Sequence, residues 1–192
     1  MNAVILVGGK SSRMGTNKAF LELKGKTFIE LQIELLREMF DEISISANTP
    51  SEYEYLNLPI FKDIYHGKGP LGGIYTSLIN SSSLHTFMLA CDMPFVGPEL
   101  IKHLKDLTKE YDVVIPKSEN GLEPLHAFYS KNCIEPIKRE LDENNLRIRS
   151  FFPQVSVKIV ELDSLASSDH FKNSIKNLNT MADYEDVTEN NC

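Results

Sequence analysis

Five short runs of β-branched and other apolar residues constrain the fold of this chain more than any other feature of its sequence. Each run has the length of a strand, and several are too continuously apolar for one face to meet water. Strands without the two-residue alternation are typical of a largely parallel sheet that is covered on both faces. The runs are Ala3 to Val7, Ile43 to Ala47, Pro59 to Lys62, Thr86 to Ala90 and Val113 to Pro116.

Helical patterns lie between some of these strands. Thr27 and Glu30 fit a capping box, and the apolar stripe of the helix that follows is Ile29, Ile33, Leu36 and Phe40. Three further elements are predicted: a helix from Gly97-Pro98, a helix from Lys131 to about Asn144 and a strand from Val155 to Glu161. The alternation predicts one domain over 1–192, an open three-layer α/β/α fold with a largely parallel, Rossmann-like sheet.

Composition and charge exclude several classes of protein. The 192 residues carry a net charge of -7, which argues against a general nucleic-acid binder because phosphate backbones are held by clustered Lys and Arg. The chain has no basic leader and no apolar run that is long enough to cross a membrane, so we expect it in the cytoplasm. Its three cysteines form no CxxC pair, which predicts neither a disulfide framework nor a zinc knuckle.

A glycine-rich segment follows the first strand, from Gly8 to Lys18. Its glycines let backbone amides approach a ligand closely, and Lys10, Arg13 and Lys18 are suited to phosphate oxygens. The first carboxylate of the chain is Glu22, so all charged side chains of residues 1–21 are positive, although the protein as a whole is acidic. The segment therefore predicts a polyphosphate site, and a solvated turn is the alternative.

Two better-known phosphate motifs do not fit this segment. Gly9-Lys10-Ser11 resembles the end of a P-loop, but the glycine that a P-loop requires earlier would fall at Val4, inside the strand. The dinucleotide fingerprint GxGxxG also fails, because the glycines here are Gly8, Gly9 and Gly15.

Only two acidic residues lie between Glu54 and Glu99, and each follows a predicted strand. Asp92 is a hard oxygen ligand suited to Mg²⁺, which takes one or two protein carboxylates plus phosphates and waters. The alternative role for Asp92 is a helix N-cap. Asp63 precedes a second glycine-rich loop, Gly67 to Gly73. An ionised carboxylate there accepts the paired N–H donors of guanine, and the alternative role is that of a turn initiator.

Five motifs together resemble the molybdenum cofactor guanylyltransferase family, over nearly the whole chain. They are Leu6 to Lys18, Gly67 to Ile74, Ala90 to Phe95, Glu123 to Ala127 and Asn177 to Thr180. The first is shared with many nucleotidyltransferases, whereas the Gly-Pro-Leu-Gly-Gly loop and the Asp-Met-Pro turn are more specific. The resemblance implies a nucleotidyltransferase fold, with the nucleotide and Mg²⁺ bound in the part at about 1–95 and the acceptor at about 96–187.

The resemblance also implies a reaction: the terminal phosphate of molybdopterin attacks the α-phosphorus of GTP, and pyrophosphate leaves. Arg13, Lys18 and Asp92 would be the catalytic residues, with Mg²⁺ on Asp92. The expected nucleotide contacts are Leu6, Val7, Gly8, Gly9, Lys18, Asn48, Asp63, Gly69, Pro70, Leu71 and Asp92. The expected molybdopterin contacts are Arg147, Asn177 and Asn179.

Two residues need separate interpretation. Asn17 stands where the family usually has aspartate, and we interpret it as a structural turn position because asparagine keeps the same local hydrogen bonding. His126 is interpreted as a half-buried, hydrogen-bonded histidine and not as a general base.

Three alternatives stay open at this point: a CTP-dependent transferase, a different phosphate acceptor, and a GTP-binding escort protein for molybdopterin that performs no chemistry. GTP and molybdopterin are the expected partners. We expect a monomer that binds neither nucleic acid nor membranes and has at most transient contacts with other proteins of molybdenum cofactor synthesis.

Overall fold

The computed structural model describes residues 1–8, 17–165, 171, 172, 174–176, 178, 183 and 184. An eight-stranded sheet lies at its centre, in the order β10-β7-β9-β6-β1-β4-β5, and the short strand β8 pairs with β7. The strands are β1 (Asn2–Val7), β4 (Glu42–Ala47), β5 (Ile60–Phe61), β6 (His85–Ala90), β7 (Val113–Ser118), β8 (Gly121–Leu122), β9 (His126–Ser130) and β10 (Val157–Glu161), and a separate hairpin pairs β2 (Glu22–Leu23) with β3 (Lys26–Thr27).

Within the described residues, four α-helices with complete bounds cover the two faces of the sheet. They are α1 (Phe28–Arg37), α2 (Gly69–Asn80), α3 (Pro98–Leu107) and α4 (Ile134–Asp142). Residues of α1 and α3 share one hydrophobic cluster, and residues of α2 and α4 share the other. Strand β1 is buried along its whole length and supplies side chains alternately to both clusters. The predicted α/β fold, with helices on both faces of a largely parallel sheet, is confirmed.

Short 3-10 helices connect many of these elements, at Lys18–Phe20, Pro50–Glu52, Glu54–Leu56, Lys131–Cys133, Ile148–Gln154 and Leu162–Ser164. The predicted helix that begins at Lys131 is therefore a 3-10 turn followed by α4. In the part of the chain that is described, no helix combines the length and the apolar character that a membrane span requires.

The capping box at the start of α1 is confirmed. The Thr27 hydroxyl accepts a hydrogen bond from the Glu30 amide at 3.4 Å, and the Glu30 carboxylate accepts one from the Thr27 amide at 2.8 Å. The apolar stripe of α1 is buried as predicted, although Phe40 lies beyond the end of the helix.

The two-residue strands β2, β3 and β8 were not predicted, and two larger features also differ from the expectation. Strand β9 was not predicted, and it lies antiparallel between β6 and β7 in an otherwise mainly parallel sheet. The segment Gly67 to Gly73 is not a loop throughout, because α2 begins at Gly69. Tertiary packing accounts for the second difference: Gly72 and Gly73 lie in close contact with Tyr65 and Leu6, where a helix carrying larger side chains does not fit.

Candidate active site

The carboxyl ends of four neighbouring strands meet at one edge of the sheet. Strands β6, β1, β4 and β5 are parallel neighbours in that order, so the residues after them come together. Gly8 follows β1, Asn48 follows β4, Asp63 lies beyond β5 and Asp92 lies beyond β6. Open parallel sheets bind ligands at this edge, and here residues far apart in the sequence form one surface.

Lys18 and Asp92 form an ion pair at this edge. The Lys18 Nζ lies 3.0 Å from Asp92 Oδ2, and the exposed fractions of the two side chains are 16% and 23%. Partial burial strengthens such a pair relative to one in open water. A cation suited to a phosphate oxygen and a carboxylate suited to a metal ion are therefore side by side.

The turn that carries Asp92 is tied to several parts of the chain. The Cys91 amide donates to the Leu6 carbonyl at 3.2 Å, and the Asp92 carbonyl accepts from the Leu178 amide at 3.0 Å. The Gln32 side chain also donates to two carbonyls of this turn. No helix starts at Asp92, because the next helix, α3, begins at Pro98. The alternative role of Asp92 as a helix N-cap is thus wrong.

Asp63 lies in a small polar pocket and is 9% exposed. The Asn48 amide donates to its Oδ2 at 2.8 Å, and the Ser46 hydroxyl donates to its Oδ1 at 3.3 Å. Both partners are neutral hydrogen-bond donors. Ser46 was missed by the sequence analysis, although its place at the end of a buried strand is a usable signal.

The first turns of α2 border this pocket. A Cβ atom on Gly73 would lie 2.8 Å from Leu6 Cδ2 and 3.7 Å from Asp63 Oδ1. Gly69 and Pro70 are exposed at the start of the helix, and no side chain caps its amides. Leu71 is completely buried in a hydrophobic cluster, so its predicted contact with a nucleotide stays a prediction.

Burial also restricts which atoms of the first strand can contact a nucleotide. Leu6 and Val7 are 8% and 5% exposed, whereas Gly8 is exposed and has open space around it. The predicted contacts of Leu6 and Val7 with a nucleotide would therefore be made mainly through the backbone.

Five predicted site residues are not seen in this arrangement. Gly9, Arg13, Asn177 and Asn179 are outside the described residues. Arg147 is exposed just before the 3-10 helix Ile148–Gln154. A hydrogen bond from Lys68 Nζ to Asn144 Oδ1, at 2.7 Å, does connect the segment before α2 with the segment before Arg147.

Asn17 has a structural role next to Lys18. Its Oδ1 accepts a hydrogen bond from the Ala19 amide and caps the 3-10 helix that begins at Lys18. Its Nδ2 donates to Glu52 Oε2 at 3.0 Å and to Tyr53 Oη at 2.7 Å. An aspartate has no N–H for the Glu52 carboxylate, so asparagine suits this particular environment.

His126 differs from its prediction. It is completely buried, and neither ring nitrogen has a hydrogen-bond partner among the described residues, so the half-buried and hydrogen-bonded role is wrong. Its ring packs edge-to-face against Phe87 with centroids 5.1 Å apart. Burial lowers the pKa of His126 to about 3, so the imidazole is neutral and enclosed in the core. Its exclusion as a general base agrees with this burial.

Comparison with known proteins decides the family. The model of the MobA-like NTP transferase domain matches residues 3–158. This chain belongs to that family. A relative from Clostridium perfringens, named "Probable molybdenum cofactor guanylyltransferase", is 40% identical over 97% of this chain and 95% of its own length. A molybdenum cofactor guanylyltransferase from Desulfosudis oleivorans is 33% identical over 96% of this chain and 93% of its own.

Solved structures agree with this family assignment. The molybdopterin-guanine dinucleotide biosynthesis protein A from Archaeoglobus fulgidus has a TM-score of 0.83 at 27% identity, over 98% of this chain and 97% of that one. The chain is thus a nucleotidyltransferase of the MobA-like type, and the resemblance found in its motifs is confirmed.

Proposed function

We propose that this protein transfers GMP from GTP to the terminal phosphate of molybdopterin and releases pyrophosphate. The single observation that carries the proposal is the placement of the Lys18–Asp92 pair and the Asp63 pocket along one edge of the sheet. The names of the relatives support both guanine as the base and molybdopterin as the acceptor.

Asp63 is proposed to recognise guanine. Guanine presents an N1–H and an exocyclic amino group as paired donors, and an ionised carboxylate accepts both. Adenine and cytosine lack this donor pair. Asn48 holds the carboxylate from the side of β4, and α2 approaches it at Gly73, where a Cβ atom would lie 3.7 Å from Asp63 Oδ1.

Asp92 is proposed to hold Mg²⁺. Among the described residues no group of three or more His, Cys, Asp or Glu side chains forms a metal site. A site with one carboxylate nevertheless fits this ion, because Mg²⁺ completes its octahedron with phosphate oxygens and waters. When bound, the ion would neutralise charge on the phosphates during transfer.

The residues of this chain would act by position and charge. The acceptor is already an anionic phosphate, so no protein nucleophile is required. One of its oxygens forms a bond to the α-phosphorus while the bond to the pyrophosphate oxygen breaks. Lys18 would neutralise the phosphates from its place at the start of a capped turn, and Arg13 is proposed to assist. Arg147, Asn177 and Asn179 remain proposals for the acceptor side.

Pyrophosphate release by the purified protein with Mg²⁺ and molybdopterin tests the proposal, with GTP, CTP and ATP measured in parallel. Release with GTP alone supports a guanylyltransferase. Preference for CTP would indicate a cytidylyltransferase, and activity only with other phosphate acceptors would refute molybdopterin as the substrate. Tight GTP binding without release would indicate an escort protein.

Asp92→Ala tests the metal assignment. We expect at least about a 100-fold loss of turnover, because electrostatic stabilisation of the transition state commonly contributes that much. The fold should persist, since the Asp92 side chain is partly exposed and its pairing with Lys18 contributes on the order of 1 kcal/mol. Lys117→Ala is the control, because it removes an exposed ion pair with Glu161 on β10. Full activity of Asp92→Ala would refute the assignment.

We also propose that the protein is a monomer and that it is located in the cytoplasm. Gel filtration with light scattering measures the first, and fractionation of the source cells measures the second. The net charge of -7 supports the expectation that nucleic acid is not a partner.

A further inference from the structure

Gln32 connects helix α1 to the turn that carries Asp92. The side chain is 1% exposed, and its Nε2 donates to the carbonyls of Ala90 and Met93 at 2.8 Å each. Both N–H groups of the amide are used in this way. The two carbonyls stand on either side of Cys91 and Asp92, so a single rigid side chain spans the whole turn.

The turn that carries Asp92 is only weakly stabilised by a hydrogen bond between its own residues. The hydrogen bond from the Met93 amide to the Ala90 carbonyl, which would close the turn, is 3.4 Å long and therefore weak. The Asp92 carbonyl is held by Leu178, near the far end of the chain. Besides the backbone bonds from Ala90 to Leu125 at 2.8 Å and from Cys91 to Leu6 at 3.2 Å, Gln32 supplies two short side-chain hydrogen bonds that join both ends of the turn to α1.

Gln32 does this at a cost in stability. Its Oε1 is buried and has no hydrogen-bond partner among the described residues. A buried acceptor without a partner destabilises the folded state, whereas loss of the Nε2 donor would leave the Met93 carbonyl without its 2.8 Å hydrogen bond. The two effects on stability oppose each other, and the distinctive consequence of glutamine at this position is the fixed geometry of the turn.

We propose that Gln32 is a positioning residue that keeps the Asp92 carboxylate where it meets Lys18 and the metal–nucleotide complex. The inference rests on the proposed function, because it assigns Gln32 to the same site. Without Gln32 the turn samples other conformations, and the carboxylate is in place for only part of the time. Displacement of a reacting group by about 1 Å is enough to slow catalysis substantially.

Gln32→Leu separates positioning from stability because leucine fills a similar volume and donates no hydrogen bond. We expect kcat to fall about 10-fold to 100-fold, and the Mg²⁺ concentration for half-maximal rate to rise at least about fivefold. The thermal midpoint should fall by no more than about 4 °C, because removal of the unpaired Oε1 offsets part of the cost of leaving two carbonyls without this donor. The preference for GTP over ATP should not change. A loss of turnover that is much larger than this small loss of stability accounts for is not expected of a residue that only fills the core.

Ile33→Val is the matched control, because Ile33 is the next buried position of α1 and packs in the hydrophobic core of that face of the sheet. We expect it to lower the thermal midpoint slightly, with kcat and the Mg²⁺ dependence within about twofold of the original. The proposal is overturned if Gln32→Leu keeps the original kcat and Mg²⁺ dependence. A fall in turnover no larger than that of a core variant with the same loss of stability would also overturn it.

Amide hydrogen exchange without substrate makes the test independent of the proposed reaction. In Gln32→Leu, the amides of residues 91–93 should exchange at least about tenfold faster than in the original protein, while those of β1 do not change. If the original protein releases no pyrophosphate from any nucleotide, the proposed function fails, and faster exchange still supports the role of Gln32. Unchanged exchange in the turn refutes that role whatever the activity.

Discussion

Gly73→Ala is expected to disturb nucleotide binding from inside a helix. The added Cβ would lie 2.8 Å from Leu6 Cδ2, whereas carbon atoms in contact are normally about 3.5–4.0 Å apart. One of the two must therefore move by about 0.7–1.2 Å. Leu6 is 8% exposed and has little room, so either its side chain moves or α2 moves away from β1. Both movements change the wall of the Asp63 pocket.

The effect on stability should be small, because two contributions oppose each other. Crowding of this kind costs about 1–3 kcal/mol, while alanine in a helix interior is more stable than glycine by about 0.5–1 kcal/mol. A net loss of about 1 kcal/mol corresponds to a fall of about 2–4 °C in the thermal midpoint for a chain of this size. The loss in kcat/KM for GTP should be larger, about tenfold, because it follows the displacement in the site.

Gly72→Ala is the matched control one residue earlier in α2. Its Cβ would lie 3.1 Å from the Tyr65 carbonyl oxygen and 3.3 Å from Lys68 Cβ, and it has no contact with Leu6 or Asp63. Steady-state kinetics with GTP and a thermal melt of each variant complete the test. Gly72→Ala should lose stability without losing more than about threefold in kcat/KM. Equal kinetic losses in both variants, or none in Gly73→Ala, would refute the reasoning.

The remaining predictions concern three other residues. Asp63→Asn should reduce the preference for GTP over ATP by at least about 10-fold, as competition assays measure, because the amide cannot accept both guanine donors; an unchanged preference would exclude Asp63 as the guanine contact. Asn17→Asp should lower the free energy of unfolding by about 1 kcal/mol, because the new carboxylate repels that of Glu52. Adding Glu52→Gln should restore the free energy of unfolding, which urea unfolding measures, and a loss that persists in the double variant would contradict this reasoning. In the unfolded state His126 takes up a proton below its usual pKa of about 6.5, whereas in the folded state burial lowers its pKa to about 3. Because the unfolded state binds this proton first, the free energy of unfolding should fall as the pH decreases below about 6.5, by up to about 1.4 kcal/mol per pH unit. His126→Leu should flatten this decline in melts between pH 6.5 and pH 5, and equal slopes in both proteins would show that other groups cause it.

Local patterns were enough to find most of the sheet and three of the four α-helices. The capping box at Thr27 and the proline at the start of α3 depend on residues within one turn, and both are where the sequence places them. Strand β9 was missed because its residues include histidine and serine, and their burial is imposed by neighbouring strands. Helix α2 was taken for a loop because glycine and proline have low helix propensity, which packing overcomes here.

The candidate site was predicted only in part, because local patterns reveal some of its residues and not their contacts. Isolated charges such as Lys18, Asp63 and Asp92 are visible in a sequence because they follow strands whose ends must meet. The partners of these residues are not visible. Ser46 and Gln32 are ordinary polar residues in apolar segments, and only their contacts reveal what they do.

The sequence by itself determined most of the buried strands, the glycines and charges that follow them, and the family to which the chain belongs. Those properties follow from short-range periodicity and from motifs that can be identified without reference to distant residues. Only the tertiary structure decided that β9 enters the sheet antiparallel, that α2 begins against Leu6, and that Gln32 reaches across 61 positions to Met93. Such contacts depend on the simultaneous packing of elements far apart in the chain, so no local pattern encodes them.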